Sequence, residues 1–431
     1  MDQRRGTLFV VAAVISVGAA APAAAQLLPR LPLPSVGSVL GDVERALPAD
    51  LPRVSELASL RRVRVQALIR RNPRLIDVDF DGEPVVRGEI LAINPTPQSL
   101  ERARAAHFTV VKEELLAEVG ISLVTLAPPS GMDARHALKR LRREDPEGEY
   151  DFNHIYTDAG PVGASVAQAA GGSGGSGKRI GLLDTGADTR HPALAGLDIQ
   201  QRGFAPGGVT PAAHGTATAS LIAGRTGAFR GAAPGARLLV ADVYGTGPTG
   251  GSAASVVKGL AWMAQQKVPV VNISLVGPAN ASLAAVVKAL SRQGTLIVAA
   301  VGNDGPAAPP LYPASYPEVI AVTGVDTKDR VLMEASRAKH IDFAAPGSDM
   351  AAAKPGGSLA GVRGTSFAAP IVAGKLAALM DDRSPQAAQN AVAALARQAK
   401  DLGPKGVDKT YGRGLVGEDV RVSPKKFRRP G

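Results

Sequence analysis

The chain has 431 residues, 45% of them hydrophobic and 20% charged, which is material for two or three domains around a large core. Its formal net charge is +11. However, much of the positive charge is spread through the first 145 positions and a short tail, Lys425-Lys426-Phe427-Arg428-Arg429. It is not interleaved with aromatics, so the charge reads as solvated surface and no nucleic-acid partner is expected. With no cysteine there is neither a disulfide framework nor a thiol for lipid attachment.

In chain order, Arg4-Arg5, an apolar run over residues 7–17 and Ala23-Ala24-Ala25 before Gln26 form the pattern of a secretory leader. Residues 1–25 are expected to be a signal peptide cut after Ala25, giving a secreted or periplasmic product. The apolar run is short for a bilayer span, and no later stretch is long enough for one, so no membrane span is expected after cleavage. Residues 26–82 mix Pro-rich pieces with a basic amphipathic helix over 54–71, and no chemistry is assigned to them. Residues 83–158 read as strand (84–93), helix (99–107), two strands around Gly120 (109–127), helix (133–143) and strand (150–156). This is a small βαββαβ, ferredoxin-like α+β module. Its histidines, His107, His136 and His154, have no ligand-like spacing and read as structural or surface groups.

Residues 159–178 are expected as a Gly/Ser linker, because the run from Ala164 to Gly177 is too poor in apolar surface to order itself. Beyond it, short continuous apolar runs (179–183, 237–243, 268–275, 296–301, 319–325) alternate with helical stretches (216–223, 253–266, 281–293). This predicts an α/β domain over 179–417 with a mainly parallel, doubly wound sheet, followed by a basic tail over 418–431.

Four residues stand at element ends. Asp184 closes a strand before Thr185-Gly186, and His214 opens a helix with Gly215-Thr216. Asn303 follows the strand ending Val301-Gly302, and Ser366 sits in Gly364-Thr365-Ser366-Phe367-Ala368-Ala369-Pro370 before a helical run. Parallel sheets gather such groups at their carboxyl edge. A serine hydroxyl needs an imidazole to take its proton, the imidazole needs a carboxylate to fix its tautomer, and an amide donor must meet the oxyanion. Each has a bland alternative: Asp184 as turn former, His214 and Ser366 as helix caps, Asn303 as a turn residue. Together, in this order and at these ends, they point to a serine nucleophile acting on an acyl group. Asp184-Thr185-Gly186 also fits an aspartic protease, but that mechanism needs two carboxylates, and no second Asp-Thr-Gly or Asp-Ser-Gly occurs.

These residues, with Gly231-Ala232-Ala233-Pro234, Asn272-Ile273-Ser274-Leu275, Tyr312-Pro313-Ala314-Ser315-Tyr316-Pro317 and Ala345-Pro346-Gly347, make residues 179–415 resemble the subtilisin family of serine proteases. The resemblance implies Asp184 as orienting acid, His214 as general base and acid, Ser366 as nucleophile and Asn303 as oxyanion donor. It also implies that Gly250, Gly251, Ser274, Leu275 and Val276 line a cleft that pairs with an extended polypeptide substrate. The module before the linker looks like the family's propeptide, an intramolecular inhibitor cut away by the enzyme itself. Leu311 stands where many members have glycine at the floor of the acyl-side pocket, and Val276 where the rail usually has glycine. Both predict preference for small residues there, and residues 164–172 offer self-cleavage sites of that kind. No cofactor or metal is expected, since the loop 224–230 lacks the oxygen-bearing side chains calcium prefers. The alternative is an exported binding or chaperone-like protein on a catalytically silent fold, which labelling by a fluorophosphonate would separate from an enzyme.

Overall fold

The computed structural model describes residues 54–427 apart from 159, 161 and 169–176, with only the backbone of 54–60 and 164–168. The expected leader, residues 26–53, the Gly/Ser run 169–176 and residues 428–431 lie outside the described residues.

The N-terminal part begins with α1 (Val54–Arg71), the expected basic helix. The module follows as β1 (Ile76–Val78), β2 (Pro84–Ile93), α2 (Pro97–Ala105), β3 (Thr109–Leu116), β4 (Ile121–Ala127), α3 (Ala134–Glu144) and β5 (Glu149–His154). Its sheet is antiparallel, with β2 pairing with β1, β4 and β5, and β3 on the far side of β4. Thr96 and Asp133 cap the two helices through their side-chain oxygens. Strand periodicity divides the module's apolar residues into two sets. Ile90, Ala92, Val124 and Leu126 pack on Ala103, Leu138 and Leu141 of the module's own helices. Leu91, Ile93 and Leu123 instead share a core with residues of the larger domain.

Two short strands follow, β6 (Thr157–Asp158) and β7 (Val162–Gln168). The first half of the expected linker is therefore a strand: β7 pairs antiparallel with Ser358–Val362. Backbone hydrogen bonds to a neighbouring strand order a segment whose small side chains could not do so by burial.

The larger domain carries β8 (Arg179–Asp184), β9 (Ile199–Gly203), α4 (Ala213–Ala223), β10 (Arg225–Thr226), β11 (Phe229–Arg230), β12 (Arg237–Asp242), α5 (Ala253–Gln265), β13 (Val270–Ile273) and β14 (Leu275–Val276). It continues with α6 (Ala281–Arg292), β15 (Leu296–Ala300), β16 (Val319–Val325), β17 (Phe343–Pro346), β18 (Met350–Lys354), β19 (Ser358–Val362), α7 (Thr365–Leu379) and α8 (Pro385–Gln398). Seven strands form one parallel sheet in the order β17-β16-β15-β13-β8-β12-β9. This is the mainly parallel α/β architecture expected for residues 179–417. Chain order reverses around β8, the kind of switch point where crevices open at carboxyl ends.

The two parts meet on α5 and α6. Leu283, Val286, Val287 and Leu290 of α6 lie in the core that takes up Leu91, Ile93 and Leu123. From β5, Asp151 accepts a hydrogen bond from the Ala281 N–H (2.7 Å) and Asn153 accepts one from the Ala254 N–H (3.0 Å). These N–H groups open two helices and have no partner within them, so the module satisfies both and its carboxylate meets the positive end of a helix dipole.

Candidate active site

Asp184 is the last residue of β8, and its carboxylate is fully employed. It accepts hydrogen bonds from the Thr185 N–H (2.7 Å), the Thr218 hydroxyl (3.0 Å) and the His214 imidazole, whose Nδ1 lies 2.8 and 2.9 Å from the two oxygens. An ionised carboxylate can only accept, so Nδ1 carries the proton and Nε2 is left with its lone pair. His214 is the second residue of α4, and the helix start must sit directly on the turn after Asp184 to bring it there. Gly215 permits this: any Cβ at that position would run into the Thr185 carbonyl oxygen. The Gly215 N–H also donates to the Thr185 hydroxyl (2.9 Å). Burial pulls the His214 pKa down, but the charge and hydrogen bond of Asp184, with a smaller push from Asp158, hold it above the ordinary value.

Ser366 is the second residue of α7. The preceding Gly364 has φ 135°, a conformation that L side chains rarely adopt, and it makes the sharp entry from β19 into the helix. Pro370 lies four residues on and has no N–H to give the Ser366 carbonyl. That carbonyl is taken by the Ser274 hydroxyl (3.0 Å), which ties the start of α7 to the end of β13. The Ser366 hydroxyl donates to the Ser274 carbonyl (3.3 Å) rather than to His214, whose Nε2 has no hydrogen-bond partner. The imidazole lies against the ring of Phe367, the residue after Ser366, tilted by 48° with centroids 5.4 Å apart.

Asn303, three residues after β15, accepts from the Thr365 N–H (3.0 Å) through its side-chain carbonyl, which fixes the orientation of the amide. The adjoining Gly302 N–H donates to the Thr365 hydroxyl (3.1 Å). Asp184, His214, Asn303 and Ser366 thus lie at the carboxyl edge of one sheet.

The chain's own residues 155–158 run through the crevice beside them. The Tyr156 N–H donates to the Gly251 carbonyl (2.9 Å), and Ile155 pairs with Ser252. On the other side, Thr157 and Asp158 pair antiparallel with Val276 and Leu275. The segments that pair with 155–158 are therefore Gly251–Ser252 and Leu275–Val276, and beside the first a Cβ on Gly250 would run into the Tyr244 carbonyl oxygen. Ser274 lies beneath, in its contacts with Ser366. Tyr156 is fully buried, its ring against Gly277 and its hydroxyl donating to the Pro278 carbonyl (2.8 Å). Further along, a methyl group on Gly160 would lie 3.5 Å from the Asn303 side-chain nitrogen and 3.0 Å from the Phe367 ring. Burial raises the pKa of Asp158, against the pull of His214 and Arg64.

Leu311 is 1% exposed, and a methyl group added to Gly302 would lie 2.6 Å from it and 3.4 Å from Val276. Leu311 and Val276 therefore both lie against Gly302, the residue before Asn303. Sequence reasoning missed Thr218 and Ser252. The helical spacing from His214 to Thr218 was a signal for the first.

Comparisons agree on the kind of protein this resembles. A family model described as the subtilase family matches residues 175–414. The major intracellular serine protease of Bacillus subtilis (strain 168) is 37% identical over 236 residues, 50% of this chain and 74% of that protein. Subtilisin Savinase of Lederbergia lenta is 34% identical over 274 residues, 60% of this chain and 97% of that one. Among solved structures, fervidolysin from Fervidobacterium pennivorans, a keratinolytic enzyme related to subtilisin, superposes with TM-score 0.65 at 21% identity. That match covers 80% of this chain and 62% of fervidolysin. Among the described residues no helix is long and apolar enough to cross a membrane.

Proposed function

The chain belongs to the subtilase family of serine endopeptidases, and from that premise we propose that it is exported as a zymogen which cuts its own chain between Ala159 and Gly160. The observation that carries this reading is the pairing of residues 155–158 with Gly251–Ser252 and Leu275–Val276, followed by Gly160 beside the Asn303 amide and Phe367, the residue after Ser366. Ser366 Oγ attacks the carbonyl carbon of residue 159 while His214 Nε2 takes its proton. Asp184 keeps the imidazole in the right tautomer and stabilises its cation, and the Asn303 amide meets the oxyanion. His214 then returns the proton to the Gly160 amine, which leaves, and water releases the acyl-enzyme by the same steps. The Ser366 hydroxyl must turn from the Ser274 carbonyl towards His214, a rotation about one side-chain bond. Leu311 and Val276 leave room for only a small acyl-side residue, which Ala159 is.

The module, held on α5 and α6 by capping contacts and a shared apolar core, remains as an inhibitor after the cut. Polypeptides with small residues at the scissile position are then the substrates. N-terminal sequencing of purified wild-type protein beside Ser366→Ala tests the reading. Wild type should begin Gly160-Pro161-Val162, and the variant should keep its module. A start within 164–172 would overturn the assigned bond, and a module lost equally from both would overturn self-processing.

A further inference from the structure

The helix that precedes the module carries an unusual contact. Arg61 of α1 is only 13% exposed at its side chain and forks between two acids. Its terminal nitrogens donate to Glu83 (2.7 and 2.8 Å), just before β2, and its Nε lies 3.0 Å from Asp304. Arg64, one turn on, adds a second contact to Asp304 at 3.4 Å. Asp304 directly follows Asn303, and its carboxylate is 8% exposed. Its backbone N–H is fixed by the Ser336 hydroxyl (3.0 Å).

We propose that Asp304 is an arginine-binding site on the loop that carries Asn303, filled in the uncut chain by Arg61, and that through it α1 slows departure of the N-terminal segment after cleavage. This rests on the self-processing reading above and names its regulation. A carboxylate buried to this degree is costly without a cation, and a planar guanidinium can satisfy two carboxylates at once where an ammonium cannot. Arg61 therefore joins three pieces: helix, module and active-site loop. Burial raises the Asp304 pKa against the pull of Arg61 and Arg64, as expected for an acid dependent on those cations. The segment thus has an anchor outside the module, separated in sequence from the residues in the cleft.

Two measurements on the full chain test this. In the Ser366→Ala background, where no cut occurs, Arg61→Ala should speed hydrogen exchange in both 54–71 and 303–311, and Asp304→Ala should do the same. In the active chain, the lag between the appearance of the Gly160 terminus on a gel and of activity on a small peptide should shorten about ten- to a hundredfold in Arg61→Ala, because loss of a buried charge partner acts on dissociation. Arg61→Lys should recover part of the lag, and Arg61→Ala with Asp304→Ala should shorten it no further than either alone. Unchanged exchange, an unchanged lag or additive effects would each overturn the proposal. Failure of wild type to cut at all would overturn the self-processing reading instead, and the exchange experiment would still decide whether Arg61 holds the loop.

Discussion

Replacing Tyr156 asks whether the cleft is held by side chains or only by backbone pairing. The ring is fully buried, with Gly277 against one face and its hydroxyl on the Pro278 carbonyl at 2.8 Å. Truncating a buried aromatic to alanine costs about 3–5 kcal/mol. The hydroxyl accounts for about 1 kcal/mol of this environment, the net worth of one neutral hydrogen bond. At about 1.4 kcal/mol per factor of ten, Tyr156→Ala should slow the appearance of the Gly160 terminus roughly 10²-fold to a few thousandfold, and Tyr156→Phe less than about tenfold. The assay is a time course of the new terminus after refolding from denaturant, read by gel and mass spectrometry. The same substitutions in the Ser366→Ala chain, followed by thermal unfolding, report whether the module itself still folds. Processing of Tyr156→Ala at the wild-type rate would refute the reasoning, as would Tyr156→Phe being as slow as Tyr156→Ala.

Leu311→Gly should open the acyl-side pocket and move cleavage from Ala and Ser towards Phe and Leu in a peptide library; an unchanged profile would show that Leu311 does not set the floor. Asp158→Asn tests the carboxylate next to His214. The imidazole must be neutral to take the serine proton, so self-cleavage rises with pH through its raised pKa, and removing one acid that favours its cation lowers that pKa. The acidic limb of the processing profile should therefore shift to lower pH in Asp158→Asn, and a limb that stays or moves upward contradicts the placement. Thr218→Val deletes the 3.0 Å hydrogen bond to Asp184. It should lower kcat about tenfold with KM nearly unchanged, since the loss falls on the orienting acid; a change in KM alone would argue against that role.

Much of this fold was legible because its strands are buried on both faces and so appear as uninterrupted apolar runs, as in 179–183 and 296–301. The positions of Asp184 and Asn303 could be read for the same reason, since each ends or follows such a run, whereas His214 and Ser366 were legible as the openings of helices. α8 was not among the expected helices, although Ser384 as cap and Pro385 in the first turn are a start signal for it. β18 carries no such signal: Met350-Ala351-Ala352-Ala353-Lys354 has helix-forming residues but lies buried beside β19, where tertiary packing overrides propensity. β7 was hidden because its order comes from backbone pairing with a strand about 190 positions away, not from its own composition. The Arg61–Asp304 pair, 243 positions apart, leaves no local trace at all. Long-range partners of this sort are set by topology, which a single chain read in order does not display.

The seam between β7 and β19 starts at Val162, only two residues beyond Gly160, while β14 pairs with Thr157 and Asp158 on the opposite side of the proposed scissile position. Both flanks are therefore fixed before the cut, and the four steps from 158 to 162 can stretch to no more than about 14 Å. In the proposed self-cleavage, hydrolysis frees that bridge and neither flank holds the other in place, so resealing of the bond is opposed by geometry as well as by water. On that reading a fusion partner joined ahead of Gly160 is shed together with the module, whereas any cargo meant to stay with the finished protease belongs at its other end.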